Sequence, residues 1–296
     1  MFYQVSVCIC TRNRPEELKK ALDSLDRSTY PIFEVIVSDD STTNDTQTLI
    51  SDSFPNVKYL AGPRLGLGAN RNNALKAVTG SYVLFIDDDV VLGEQFLETI
   101  FAYLEAYLNK EGREKVNKII VTGLENQNGE IVFPHEQDFL GFQKIDYQEG
   151  DTLRTVVINS AIFPSSLFQK VLFDEKLVYG CDEVDFTTRS VQEGFKILLC
   201  PDAINFHFPS IINRDFYQPY HEASRLYVTF KRYFSTEKKK LKALAYLGLA
   251  SAHTLAYTIK VEGLRGILKP IQTFRTVASY VVQEYLTERK QQNLLG

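Results

Sequence analysis

Residues 81–91 read SYVLFIDDDVV, an apolar run from Tyr82 to Ile86 that ends on Asp87, Asp88 and Asp89. An apolar run of this kind reads as a strand. Three adjacent carboxylates repel one another, so solvent, a helix N-terminus or a bound cation has to offset them. Asp87 and Asp89 bracket one residue, and in an extended segment their side chains leave the same face. Two carboxylates there can hold a divalent cation, directly or through water, and the cation can bridge phosphate oxygens. The plainer alternative is a solvated turn leading into the helix at residue 93.

Outward from this strand, short β-rich runs alternate with helix-period segments. QVSVCIC (4–10) is a first strand, followed by RPEELKKALDSL with Pro15 near its start and Leu18, Ala21, Leu22 and Leu25 on one face. FEVIVS (33–38) and NVKYLA (56–61) are further strands, and GLGANRNNALKAV enters a helix. GEQFLETIFAYLEAYL (93–108) is an amphipathic helix, KIIVTGL (118–124) a strand and NQNGEIVFP (126–134) a hairpin. Residues 155–208 read as strand, short helix, loop, helix and strand, and from about residue 216 the pattern is helical. Strands separated by helices imply a parallel sheet with helices on both faces, and such sheets bind ligands beyond the carboxyl ends of their strands. TRNR (11–14), DDSTTND (39–45) and the aspartate triplet all fall there.

The 296 residues suit one large α/β domain with an appendage, and 44% hydrophobic with 24% charged residues is ordinary for a soluble protein. The N-terminus reads as a strand of a cytosolic protein and not as a signal peptide. None of the four cysteines has CxxC spacing, which points to reduced core thiols and away from zinc or disulfides. The net charge of −4 conceals a split. From Lys231 onward there are 12 Lys/Arg against 4 Asp/Glu, whereas the preceding residues hold 21 against 33. An acidic body with a basic tail suits an anionic surface, while a pI near 5.7 argues against general nucleic-acid binding.

Other clusters carry competing readings. Asp39 and Asp40 are either turn and cap residues or ligand contacts. Gly66 and Gly68 precede a helix carrying Arg71, where a diphosphate would fit, yet neither a Walker loop nor GxGxxG is present. GCDEVDF supplies Asp182, Glu183 and Asp185, either as acids complementing a helix dipole or as a general base. His207 is a structural histidine or an imidazole ligand.

Taken together, four stretches in order resemble the inverting family 2 glycosyltransferases of GT-A fold, including rhamnosyltransferase-like bacterial members. They are VSVCICTRNRPEELKKALDSL, FEVIVSDDSTTND, GLGANRNNALKAVTGSYVLFIDDD and GCDEVDFTTRSVQEGFKI. The resemblance implies a nucleotide-diphosphate-sugar transferase with a Rossmann-like, mostly parallel sheet and a C-terminal helical extension. It implies a catalytic domain over 1–212, with its nucleotide-sugar half at about 1–124 and its acceptor half at about 125–212, and a helical region over 213–296. Thr11, Arg12, Asp39, Asp40, Arg71, Asp87 and Asp88 then fall on the donor side. Asp87, Asp89 and His207 hold Mn2+ or Mg2+, and Glu183 or Asp182 is the base. The pair here runs Asp-Glu where the family has Glu-Asp, and Arg12 stands where an aromatic is common. The alternatives are a degenerate binding or scaffold protein and a sugar nucleotidyltransferase; the latter would need a glycine-rich loop that CTRNRPEE lacks.

The implied partners are a nucleotide-sugar donor and a glycan or lipid-linked acceptor in surface polysaccharide synthesis, with no nucleic acid. ALAYLGLASAHTLAYTI (243–259) is too short and too diluted to span a membrane. Leu241, Leu244, Leu247, Leu255 and Ile259 share one arc, and a second amphipathic segment covers 264–286, kinked or interrupted at Pro270, with Ile267, Ile271, Ala278 and Tyr285 on one side. These helices read either as packing against the catalytic domain or a homodimer partner, or as peripheral attachment to the inner face of the cytoplasmic membrane.

Overall fold

A computed structural model describes residues 3–210 and 214–295. The first half alternates as its apolar periods require: β1 (Val5–Thr11), α1 (Pro15–Leu25), β2 (Glu34–Asp39), α2 (Asp45–Ser53), β3 (Lys58–Ala61), α3 (Leu67–Leu75) and β4 (Tyr82–Asp87). β5 (Val90–Val91), α4 (Phe96–Glu111), β6 (Ile119–Gln127), β7 (Glu130–Val132), β8 (His135–Gln137) and β9 (Gln143–Asp146) follow. β10 (Ala161–Pro164), α5 (Asp182–Gln192) and β11 (Lys196–His207) complete the sheet region, and α6 (Arg214–Lys231), α7 (Lys240–Glu262) and α8 (Leu268–Leu295) end the chain.

One sheet runs β3-β2-β1-β4-β10-β6-β11-β5, with β7 paired to β6. β3, β2, β1 and β4 are mutually parallel; β10 is antiparallel to β4 and β6, and β11 is parallel to β6. Every residue of β1 is buried, which explains its unbroken apolar run. Val5, Val7 and Ile9 pack with Leu18 and Leu22 of α1 and Phe96 and Ile100 of α4. Cys8 turns to the other face, beside Phe85, Phe163 and Phe186. The four cysteines are buried and free.

The expected hairpin forms between β6 and β7, turning on Asn128 and Gly129, both at positive φ as a tight Asn-Gly turn requires. The strand expected from residue 155 begins only at Ala161, because residues 158–160 leave the ladder in a 3-10 turn that sends Asn159 toward the strand ends.

The expected boundary at 212/213 lies outside the described residues. Leu177 and Val184 beside α5 share a core with Leu226, Tyr227, Tyr246, Val277 and Tyr280 of the last three helices. A buried ammonium ties the same elements together: Lys231 Nζ lies 2.7 Å from Asp174 and 3.0 Å from Asp185. Of the two readings of the leucine arc of α7, packing holds only in part: Leu241 is 84% exposed and Leu244 is exposed too, whereas Leu247 packs against the shared core beside buried Ala243, Tyr246 and Ala250. Small residues let α7 approach its neighbours closely, and most of the arc is left outside. The interruption falls at Gly263, where α7 ends, and Pro270 sits in the first turn of α8, which tolerates its missing N–H. Among the described residues, no helix is long and apolar enough to cross a membrane.

Candidate active site

The ends of β1, β2 and β4 open onto a cleft of about 720 Å³, lined by Thr11, Arg12, Asp40, Asp87, Asp89 and His207 among others. A second cavity of about 260 Å³ holds Arg71, Asp182 and Glu183. The two share Leu67, Asp87, Tyr179 and His221 as a common wall.

The aspartate triplet divides at the end of β4, where Asp88 and Asp89 form the turn into β5. Asp88 is 0% exposed and turned inward; its carboxylate accepts from Thr11 Oγ1 at 2.7 Å and lies 2.9 Å from Arg14 Nη2. Burial pushes Asp88 up to about 8, with the Arg14 guanidinium opposing. Asp87 and Asp89 both reach the cleft, although Asp89 lies in a turn and not in the extended segment that their spacing suggested. Asp89 accepts from Arg14 Nη1 at 3.0 Å and from the Ser210 N–H at 2.9 Å, and it meets His207 Nε2 at 3.2 Å. Burial works against its charge, but His207, Ser210 and Arg14 together hold it below the usual carboxylate range. Asp87 is drawn aside to Arg71 Nη2 at 3.3 Å, so it does not join Asp89 and His207 in one cluster. Among the described residues, no group of three His, Cys, Asp or Glu side chains is arranged to hold a metal.

On the neighbouring strand end, Asp40 faces the cleft and accepts from the Arg64 N–H at 2.8 Å. Burial raises its pKa against that bond and the Arg12 charge. Asp39 is turned away: it accepts from the Ser41 N–H at 2.9 Å and from the Tyr59 hydroxyl at 3.1 Å, shaping the turn. Arg71, on a helix that starts at the Gly66 turn, is 2% exposed and ion-paired with Asp182, itself 1% exposed. Glu183 stays partly exposed beside that pair. Burial, then the charge of Asp182, pushes Glu183 up to about 7.

Three partners escaped the sequence reading. Arg14 neutralises Asp88 and Asp89, Glu125 accepts from His207 at 2.7 Å, and Asn159 binds both Glu125 and the Asp87 N–H. The signal for Arg14 was available, because a buried carboxylate demands a cation and TRNR lies at the adjacent strand end.

His207 carries a testable charge. Burial disfavours the imidazolium, yet the bonds to Asp89 and Glu125 outweigh it and lift the pKa from 6.5 to about 10. A folded pKa above the unfolded one gives stability that is complete below the unfolded value and lost as pH rises through the folded one. In metal-free protein, His207→Gln is therefore expected to cost about 2 kcal/mol near pH 6, with the difference closing toward about pH 10. Equal losses in melting temperature at both ends would show the ring to be neutral throughout.

The family model described as Glycosyl transferase family 2 matches residues 6–168, more than half of the chain. The chain belongs to glycosyl transferase family 2. A glycosyltransferase of Methanocaldococcus jannaschii is 27% identical over 244 residues, covering 79% of this chain and 80% of its own. The GalNAc(5)-diNAcBac-PP-undecaprenol beta-1,3-glucosyltransferase of Campylobacter jejuni is 33% identical over 106 residues, which is 33% of either chain. The mannosyltransferase PcManGT of Pyrobaculum calidifontis, solved with GDP-Man and Mn2+, is alike in fold over 95% of this chain and 86% of its own. Its TM-score is 0.56 at 17% identity. The fold is GT-A, and this family 2 protein is a glycosyltransferase.

Proposed function

We propose that this family 2 enzyme is a metal-assisted, inverting transferase that moves a sugar from a nucleoside diphosphate to a hydroxyl of a glycan or lipid-linked glycan. The observation carrying this reading is the junction of the two cavities at Leu67, Asp87, Tyr179 and His221. A donor whose diphosphate lies by Asp87 and Asp89 presents its sugar carbon at that wall. An acceptor in the second cavity brings its hydroxyl between that carbon and Glu183. Thr11, Arg12 and Asp40 serve the nucleotide, while Arg71 orients Asp87; Asp39 and Asp88 act from behind, through the turn and the Thr11–Arg14 contacts.

Glu183 takes the hydroxyl proton and the freed oxygen forms its bond to the sugar carbon from the open face. The bond from that carbon to the diphosphate oxygen breaks, its electron pair leaves with the nucleoside diphosphate, and configuration inverts. Asp89 and His207, an oxygen and an imidazole ligand, fit Mn2+ or Mg2+ if diphosphate oxygens and water complete the shell. When bound, the ion supplies positive charge against that growing on the leaving group. The Mn2+ and GDP-Man held by the Pyrobaculum protein support this assignment, and the Campylobacter relative's name supports a lipid-linked acceptor. Exposed Leu241, Leu244, Leu264 and Leu268, set among basic residues, support contact of α7 and α8 with an anionic membrane surface.

Calorimetric titration with UDP-, GDP- and dTDP-sugars, with and without Mn2+, tests the reading. One nucleotide class is expected to bind in a metal-dependent way, and Asp89→Asn to weaken that binding at least about tenfold. Unchanged metal-dependent binding in the variant would remove Asp89 from the metal site. No binding by folded protein would favour a degenerate scaffold.

A further inference from the structure

The shared wall contains two ring-bearing side chains that the chemistry above does not use. Tyr179 and His221 are both exposed, both line both cavities, and their ring centroids are 6.4 Å apart with planes tilted by 49°. The placement is built. His221, on α6, lies against the turn that precedes Asp182 and Glu183, and a Cβ at Gly180 would come within 2.8 Å of its Cδ2. Gly180 is at φ +83, and Cys181 follows at φ +57, a left-handed conformation that costs energy in a non-glycine residue. From the same helix, Ser224 Oγ donates to the Tyr179 carbonyl at 2.8 Å. Helix α6 thus holds the Tyr179–Cys181 turn and lays an imidazole over its glycine.

The charges around this wall constrain what can rest there. Asp87, Asp182, Glu183 and Glu222 contribute carboxylates. On the second cavity's side the guanidiniums are compensated, Arg71 by Asp182 and Asp87 and Arg225 by Glu222, with Nε–Oε2 at 2.9 Å; Arg12 and Arg14 line the first cavity only. With these four carboxylates against Arg71 and Arg225, an anionic ring is disfavoured on the second cavity's side relative to a neutral one. A neutral pyranose offers weakly positive C–H groups to the negative faces of aromatic rings and points its hydroxyls past them toward Glu183.

We propose that His221 and Tyr179 form the platform on which an uncharged pyranose ring of the acceptor stacks, so that α6 selects the acceptor. This rests on the glycosyltransferase reading and deepens it. The C-terminal helices then take part directly in substrate recognition, through His221, and also through Ser224, which positions Tyr179.

The test is saturation-transfer NMR on the full chain, irradiating aromatic protons in the presence of methyl glucoside, galactoside, mannoside and glucuronide. At least one neutral pyranoside is expected to receive saturation on its ring C–H protons and to bind more tightly than the glucuronide. His221→Ala and Tyr179→Ala should each weaken that binding about fivefold to tenfold, while His221→Phe, which keeps a stacking face, should stay within about twofold of the parent. Circular dichroism of each variant separates loss of the platform from loss of the fold. No binding of any neutral pyranoside, equal or tighter binding of the glucuronide, or unchanged binding in both alanine variants would overturn the proposal. Titration of the unsubstituted protein with nucleotide sugars is read separately. If it fails while the pyranosides still bind, the donor reading falls and the platform stands.

Discussion

Glu183→Gln is expected to lower kcat by roughly 10³-fold while leaving nucleotide-sugar affinity nearly unchanged. Of the two adjacent acids, Asp182 is consumed by its buried pairing with Arg71, whereas Glu183 faces the second cavity and remains partly exposed. A general base works best with a pKa near the operating pH, and burial together with the Asp182 charge brings Glu183 from 4.5 to about 7. The base form dominates above that value, so the rate should rise with pH through about 7, far above where an ordinary glutamate titrates. The same shift has a stability consequence. Folding favours the protonated form, so the carboxyl's contribution to stability is lost as pH climbs between 4.5 and about 7. Glu183→Gln should therefore melt higher than the parent on the alkaline side of that window. A Gln variant that keeps its turnover would transfer the base assignment to Asp182, and a pH–rate limb near 4.5 would mean that Glu183 titrates as an ordinary glutamate.

What the sequence disclosed and what it withheld divide along a physical line. Periodicity exposes local structure, so β1, α1, β4 and the Asn128-Gly129 hairpin were all legible. Alternation along an extended chain suggested that Asp87 and Asp89 share a side; the cleft receives both, but it is the turn at Asp88 and Asp89 that places them there. Partners that arrive from distant segments leave no local signal. Glu125 reaches His207 across 82 positions, Asn159 reaches the Asp87 N–H across 72, and His221 comes from a helix read as an appendage. Asp39 and Asp40 are neighbours of one type, yet the first shapes a turn and the second faces the cleft. Composition cannot divide them, because the division depends on where Tyr59 and Arg64 lie. The α7 arc stayed ambiguous for another reason. Apolar spacing identifies a helix and a stripe, but which stripe is covered depends on how closely a neighbour approaches, and there Ala243 and Ala250 outweigh the leucines.

Arg71→Met is expected to destabilise the protein by about 3–5 kcal/mol, because it strands the Asp182 carboxylate in a place with almost no solvent. Arg71 is 2% exposed and answers two carboxylates, Asp182 and, at 3.3 Å, Asp87; its guanidinium also lies 5.5 Å from the centre of the Phe173 ring. Methionine can fill much of that space against Phe173 but supplies no charge, so the loss isolates the electrostatics from the packing. The comparison that decides the matter is the double variant Arg71→Met with Asp182→Leu. Removing both charges also removes the desolvation cost of each, and an apolar pair of similar volume is often as stable as the ion pair it replaces. Urea unfolding should then show the double variant recovering most of the stability lost by the single one. Catalysis should not recover with it, since Glu183 would lose the neighbouring charge that raises its pKa and Asp87 would lose the guanidinium that orients it. A single variant costing under about 1 kcal/mol would mean that Asp182 is protonated or reached by water. A double variant no better than the single would mean that the pair is held for its geometry, and that Arg71 serves the fold through Asp87 instead.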